Sequence, residues 1–137
     1  MIPEKLKEFP LLWRWTKPSH AVLPRDVLEQ LTPIQPSDAE ALVEIELAST
    51  PAMQHYPTTS AEADTRTWLL SQYSVETEVI LVWDRESGLR LPWPIFCEYW
   101  SDFCYPSSDD IGIFTNDKKL LMQWRHYEVF EYGYGSH

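Results

Sequence analysis

Ser107-Ser108-Asp109-Asp110 places two hydroxyls and two carboxylates side by side, just ahead of an apolar stretch. Paired aspartates can hold a hard cation such as Mg²⁺ or share a proton as an acid–base pair. Metal catalysis needs further ligands, and the chain has no Asp-x-Asp or His-x-x-x-His element to complete a set. Ser and Asp also bond neighbouring backbone amides and so favour turns, which is the structural reading of the same four residues. A partner-binding loop and a small metal-dependent hydrolase built on Asp109 and Asp110 are the two functional readings.

Histidine is the usual general base near neutral pH, and the chain offers His20, His55 and His126 besides the terminal one. None stands beside a nucleophile signature. There is no Gly-x-Ser-x-Gly elbow and no Cys-Gly protease signature, and four glycines in all leave little for a phosphate-cradling loop. Each histidine is expected to be a satisfied surface or core residue. Cys97 and Cys104, without further Cys or clustered His, make neither a disulfide framework nor a zinc site. They read as buried, reduced thiols acting as small hydrophobes. No catalytic, cofactor-binding or metal-ligating set is expected.

The charge is more informative. The 137 residues carry a formal net charge of -10, which argues against nucleic acid or anionic lipid as a ligand and for a basic protein partner. From Asp26 to Thr65 the chain has no Lys or Arg, yet it holds Asp26, Glu29, Asp38, Glu40, Glu44, Glu46, Glu62 and Asp64. That segment cannot neutralise itself locally. Glu40 and Glu44 stand at i, i+4, a spacing that costs a few tenths of a kcal/mol for like charges. A merely solvated face tolerates this; an anionic docking surface makes use of it.

The elements that must position these groups follow from periodicity. Leu11–Thr16, with Trp13 and Trp15 alternating against Arg14 and Thr16, predicts a strand. Pro24 opens a short helix with Val27, Leu28 and Leu31 inward. Ser37-Asp38-Ala39-Glu40 is a capping box that predicts a helix from about Asp38 to Ala48, with Ser37 as N-cap. A Pro51- and Pro57-containing loop over 50–58 follows. Thr59-Ser60-Ala61-Glu62 repeats the capping signature before a helix carrying Thr67, Trp68, Leu69, Leu70 and Tyr73.

Glu78–Asp84, β-branched and continuously apolar within, predicts a central strand followed by an Arg85–Gly88 turn. Phe96, Tyr99, Trp100 and Phe103 fall at i, i+3, i+4 and i+7, an aromatic stripe on a helix over 95–103, with Glu98 and Asp102 opposite. Interleaved cations would be needed for nucleic acid, so core packing is the reading for that stripe. Ile111–Phe114 predicts a strand, Lys118–Trp124 a short helix and Tyr127–Tyr132 a final strand.

The expectation is an α+β fold, a single domain over 1–137 with a mostly antiparallel sheet of about four strands packed against three to four helices. Residues 1–8 are expected to fray, and Gly135-Ser136-His137 to be an appended tail. No run approaches the ~20 apolar residues of a membrane span and no signal-peptide pattern opens the chain, so a cytoplasmic location is expected.

The pattern Trp93-x-x-Phe96, Trp100-x-x-Phe103, Tyr105-Pro106, Asp109-Asp110 and Phe130-x-x-Gly133, covering about the last third, resembles small, acidic, Trp-rich bacterial proteins of the toxin-immunity and uncharacterised types. The resemblance implies a non-enzymatic cytoplasmic protein, an immunity protein that neutralises a cognate toxin. Joined to the charge pattern, it points to Asp38, Glu40, Glu44, Asp109 and Asp110 as a surface that covers a basic, nuclease-like active-site cleft. The competing readings are the metal-dependent hydrolase and a regulatory or scaffolding domain.

Overall fold

Val79, Ile80, Leu81 and Val82 are consecutive and all buried, so the strand that carries them must be covered on both faces. The computed structural model describes residues 2–17, 22–49, 51–58 and 61–134. In chain order its elements are a 3-10 turn at Glu4–Leu6, α1 (Trp13–Thr16), α2 (Arg25–Leu28), β1 (Thr32–Pro33), α3 (Pro36–Leu47), β2 (Gln54–Pro57) and α4 (Glu62–Leu70). There follow β3 (Glu78–Asp84), β4 (Ser87–Pro92), α5 (Trp93–Glu98), α6 (Trp100–Phe103), β5 (Ile111–Thr115), β6 (Leu120–Arg125) and β7 (Val129–Tyr132).

The fold is α+β, a single domain built on one seven-stranded sheet of order β1-β4-β3-β5-β6-β7-β2, antiparallel at every pairing. Three more strands are present than the four expected. Val79, Leu81, Ile113, Met122, Trp124 and Phe130 face a large core shared with every helix except α3. Ile80, Val82 and Phe114 face the other way, onto Ala39 and Leu42 of α3. The aromatic stripe belongs to the large core, with Trp93, Phe96, Trp100 and Phe103 buried. It sits on two helices because Tyr99, at φ -115 and ψ 26, interrupts the turn.

Four local expectations are corrected. Leu11–Thr16 is not a strand: Trp13–Thr16 is helical, and neighbours Arg14 and Trp15 are both buried, which strand alternation forbids on a one-sided surface. Lys118–Trp124 is not a helix, because Met122 and Trp124 point into the large core while Gln123 and Arg125 take the opposite face of β6. The supposed turn at Ser87-Gly88 already belongs to β4, so the reversal is only Arg85-Glu86. Gln54–Pro57 is a strand at the rim of the sheet, where Pro57, at its end, costs no interior ladder bond.

α2 and α3 form as expected, but α3 begins at Pro36 with Gln35 as N-cap and no side-chain cap bond, so Ser37 does not cap it. α4 begins after Ala61; Thr59 and Ser60, the front of its expected capping signature, lie outside the described residues. His20 and the terminal Gly135-Ser136-His137 also lie outside them. Of the eight residues expected to fray, those described, 2–8, are held in place: Leu6 is fully buried and Lys5 Nζ donates to the carbonyl of Glu29 at 2.7 Å. Among the described residues no helix is long and apolar enough to cross a membrane.

Candidate functional site

Asp109 and Asp110, adjacent in sequence, end up on opposite sides of the chain. Asp109 is 5% exposed and takes two hydrogen bonds from Arg14, Nη1 to Oδ2 at 2.6 Å and Nη2 to Oδ1 at 2.9 Å. The backbone N–H of Tyr105 donates to the same Oδ2 at 3.0 Å, and the Tyr105 ring lies 4.2 Å below the guanidinium. Asp109 is therefore removed from the expected partner-binding set: it is an internal counter-ion, not a surface group. It is equally removed from a metal site, because both its oxygens are occupied. Asp110 is exposed and accepts from the backbone N–H of His126 at 2.9 Å, with the imidazole Nδ1 at 3.0 Å.

Asp38, Glu40 and Glu44 are exposed on α3. The like-charge pair is relieved from outside the acidic segment: Arg85, in the β3–β4 turn, reaches Glu44 at 2.6 Å and Glu40 at 3.6 Å. Arg85 is itself flanked by exposed Asp84 and Glu86. One guanidinium thus meets two carboxylates of α3 and has two more as chain neighbours, so the helix and turn together keep a negative excess.

A second feature has no counterpart in the sequence reading. α3 packs against β3, β4 and β5, and among the described residues an opening lies beyond its C-terminal end. Register sets Gly112, Gln123, Glu131 and His55 in one row across β5, β6, β7 and β2. A cleft of about 400 Å³ lies over this floor, walled by Glu46 and Ser49 of the α3 end and by Pro51 and Ala52.

Its polar groups are linked. Gln123 Nε2 donates to Glu46 Oε2 at 2.6 Å, and Gln123 Oε1 accepts from the Tyr134 hydroxyl at 2.8 Å. Arg125 Nε and the Tyr127 hydroxyl both donate to Glu131, at 2.9 Å and 2.8 Å. His55 Nε2 is 3.5 Å from Glu131. Glu46 fits only because residue 112 is glycine: a Cβ there would stand 2.6 Å from the Glu46 Cδ.

The two carboxyls are pushed apart electrostatically. Burial raises the pKa of Glu46, against the Gln123 hydrogen bond and the charge of Arg125, and nearby Asp110 adds to the rise. Burial also pushes Glu131 up, but the hydrogen bonds from Arg125 and Tyr127 outweigh it and hold that carboxyl below its ordinary value. Two carboxyls lining one cleft with pKa values pushed in opposite directions are a pattern that acid–base sites also use. The signal that could have found this site is the Gln123/Arg125 alternation with Met122/Trp124, which marks β6 as a strand with one polar face.

Both thiols are buried, as expected; burial pushes Cys97 up to about 12, and Cys104 is raised by the same cause. Comparison of the chain with family models, curated proteins and solved structures gives no match.

Proposed function

We propose that the chain is a non-enzymatic, cytoplasmic protein-binding inhibitor of the immunity type, which neutralises a cognate toxin by laying an acidic surface over a basic active-site cleft. The observation that carries this reading is the α3 face together with the β3–β4 turn, where Asp38, Glu40, Glu44, Asp84 and Glu86 outnumber Arg85. Surplus charge of one sign on an exposed helix and turn steers a partner of opposite sign and selects its orientation. Affinity then comes from a few desolvated anchors rather than from the charged rim.

The test is capture of partners from the native cytoplasm, followed by association kinetics with the protein recovered. Reversing Glu40 and Glu44 to Lys slows association about tenfold at low salt and flattens its salt dependence, whereas Arg85→Ala speeds association. Equal rates for all three proteins across the salt range sink the reading.

A second reading is favoured by the opposed pKa shifts of Glu46 and Glu131: the cleft is an acid–base site for a small polar substrate, with Glu46 as proton donor. It requires a turnover whose alkaline limb moves in Glu46→Gln while the acidic limb stays.

A further inference from the structure

The end of α3 is held differently from its beginning. Its two buried residues, Ala39 and Leu42, lie in the first two turns, Val43 and Ile45 are partly covered, and Leu47 is 71% exposed. The inward group of the last turn is a carboxyl. Glu46 follows Leu42 by four residues and so continues its stripe, with Oε2 accepting from Gln123 at 2.6 Å and Cδ beside Gly112, where no side chain competes for the space. Above it the Ala48 N–H donates to the Glu44 carbonyl and the Ser49 N–H to that of Glu46, both at 3.1 Å.

Negative charge on that carboxyl is poorly compensated. The last turn of α3 has no basic residue, and the helix presents its carbonyl end there, which disfavours an anion. From β6, Gln123 gives a hydrogen bond and Arg125 a favourable charge, but Arg125 Nε is committed to Glu131 of β7 at 2.9 Å and its Nη2 to Gln123 at 3.3 Å. From the loop ahead of β5, Asp110 opposes ionisation and is itself paired with His126. Tyr134, just past β7, keeps its proton because burial pushes it up, and His55 of β2 is turned to Glu131 at 3.5 Å. Burial outweighs Gln123 and Arg125, so Glu46 in its seat is raised. Swung into the water of the cleft, the same carboxyl holds its proton less tightly.

We propose that Glu46 is a proton-operated latch: protonated, it pins the last turn of α3 to Gln123 and the Gly112 floor, and on ionising it leaves that seat, so the turn lifts and the cleft widens. The seated form binds the proton more tightly than the released one, so the latch is closed at low pH and loosens as pH rises through the pKa of the seated carboxyl. Each pH unit between the seated and released values changes the closed-to-open ratio about tenfold. Because Glu40 and Glu44 ride on the same helix, opening loosens one end of the acidic face. The latch itself operates whether or not a partner docks there.

The experiment is a pH titration of ¹³C,¹⁵N-labelled protein across the range in which it stays folded. Glu46 Cδ reports ionisation, the Gln123 side-chain amide reports its hydrogen bond, and hydrogen exchange at Ala48 and Ser49, expressed as protection over the unfolded-chain rate, reports the turn. All three are expected to share one midpoint above 4.5, with protection falling as pH rises. Glu46→Gln still accepts from Gln123 but cannot ionise, so its turn stays protected throughout. His55→Gln leaves the midpoint in place, and the β3 amides stay protected in every protein.

Protection at Ala48 and Ser49 that stays level through the Glu46 titration overturns the proposal. So does a loss that persists in Glu46→Gln, one that vanishes in His55→Gln, or one that β3 shares, which marks global unfolding.

Discussion

Arg14 and Asp109 stand ninety-five positions apart in the chain and form a two-pronged ion pair at 8% and 5% side-chain exposure. The pair ties α1 to the loop ahead of β5. Removing one member leaves the other as an uncompensated buried charge, so Asp109→Ala is expected to cost about 3–5 kcal/mol in urea unfolding. Replacing both by apolar residues of similar volume, Arg14→Met with Asp109→Leu, recovers most of that loss. Arg14 Nε is already without a partner, which makes the native pair an incompletely satisfied one.

The two cleft carboxyls bias stability in opposite directions with pH. Glu46 is raised from 4.5, so the folded state binds its proton more tightly than the unfolded chain does. Its contribution is favourable at low pH and is lost as pH rises through the folded value. Glu131 is lowered from 4.5, so its contribution is present above that value and disappears as pH falls through the depressed one. Glu46→Gln therefore gains stability relative to wild type as pH rises from 4 to 7, and Glu131→Gln loses it, both measured by denaturation at fixed ionic strength. A parallel response of the two variants contradicts the assignment.

Gly112→Ala tests the seat of Glu46. The added methyl stands 2.6 Å from Glu46 Cδ and 2.8 Å from Phe114 Cε1. The flexible carboxyl yields before the buried ring, giving up its bond to Gln123. A loss of about 1–3 kcal/mol is expected, with partial recovery in Gly112→Ala/Glu46→Ala. Equal loss in the double variant places the strain on Phe114 instead.

Cys97 and Cys104 are both buried and their thiols are raised, so little thiolate is present at neutral pH. Labelling by a thiol reagent is expected to follow global unfolding, with both residues reacting at one rate. Fast labelling of either at low denaturant marks a local opening at α5 or α6.

Legibility in the sequence tracked how far each feature depends on distant partners. β3 was readable because a run buried on both faces has only one place in a sheet. α3 was readable from its apolar spacing after Pro36, although the capping box expected to start it does not form and Gln35, not Ser37, is the N-cap. β6 was not, because adjacent Leu120 and Leu121 satisfy a helical stripe as well as a strand, and only pairing with β5 and β7 decides. The acids of α3 were visible, but Arg85 arrives from a turn forty-one residues beyond Glu44. Asp109 and Asp110 look alike as letters; their fates diverge because one meets Arg14 inside and the other meets His126 outside. The cleft is a product of register across four strands, information that no local window contains.

The strand order carries a consequence for biosynthesis. Every pairing among the five central strands lies within residues 78–132, while the earlier half of the chain supplies the sheet's rims and much of its covering. Translation therefore delivers the lid before the vessel: Trp15, Leu31 and Leu42 emerge with nothing yet to close upon. A nascent segment in that condition is prone to associate with its neighbours on the polysome. The segment from Asp26 to Thr65, which carries eight carboxylates and no Lys or Arg, is of the composition that opposes such association through like-charge repulsion.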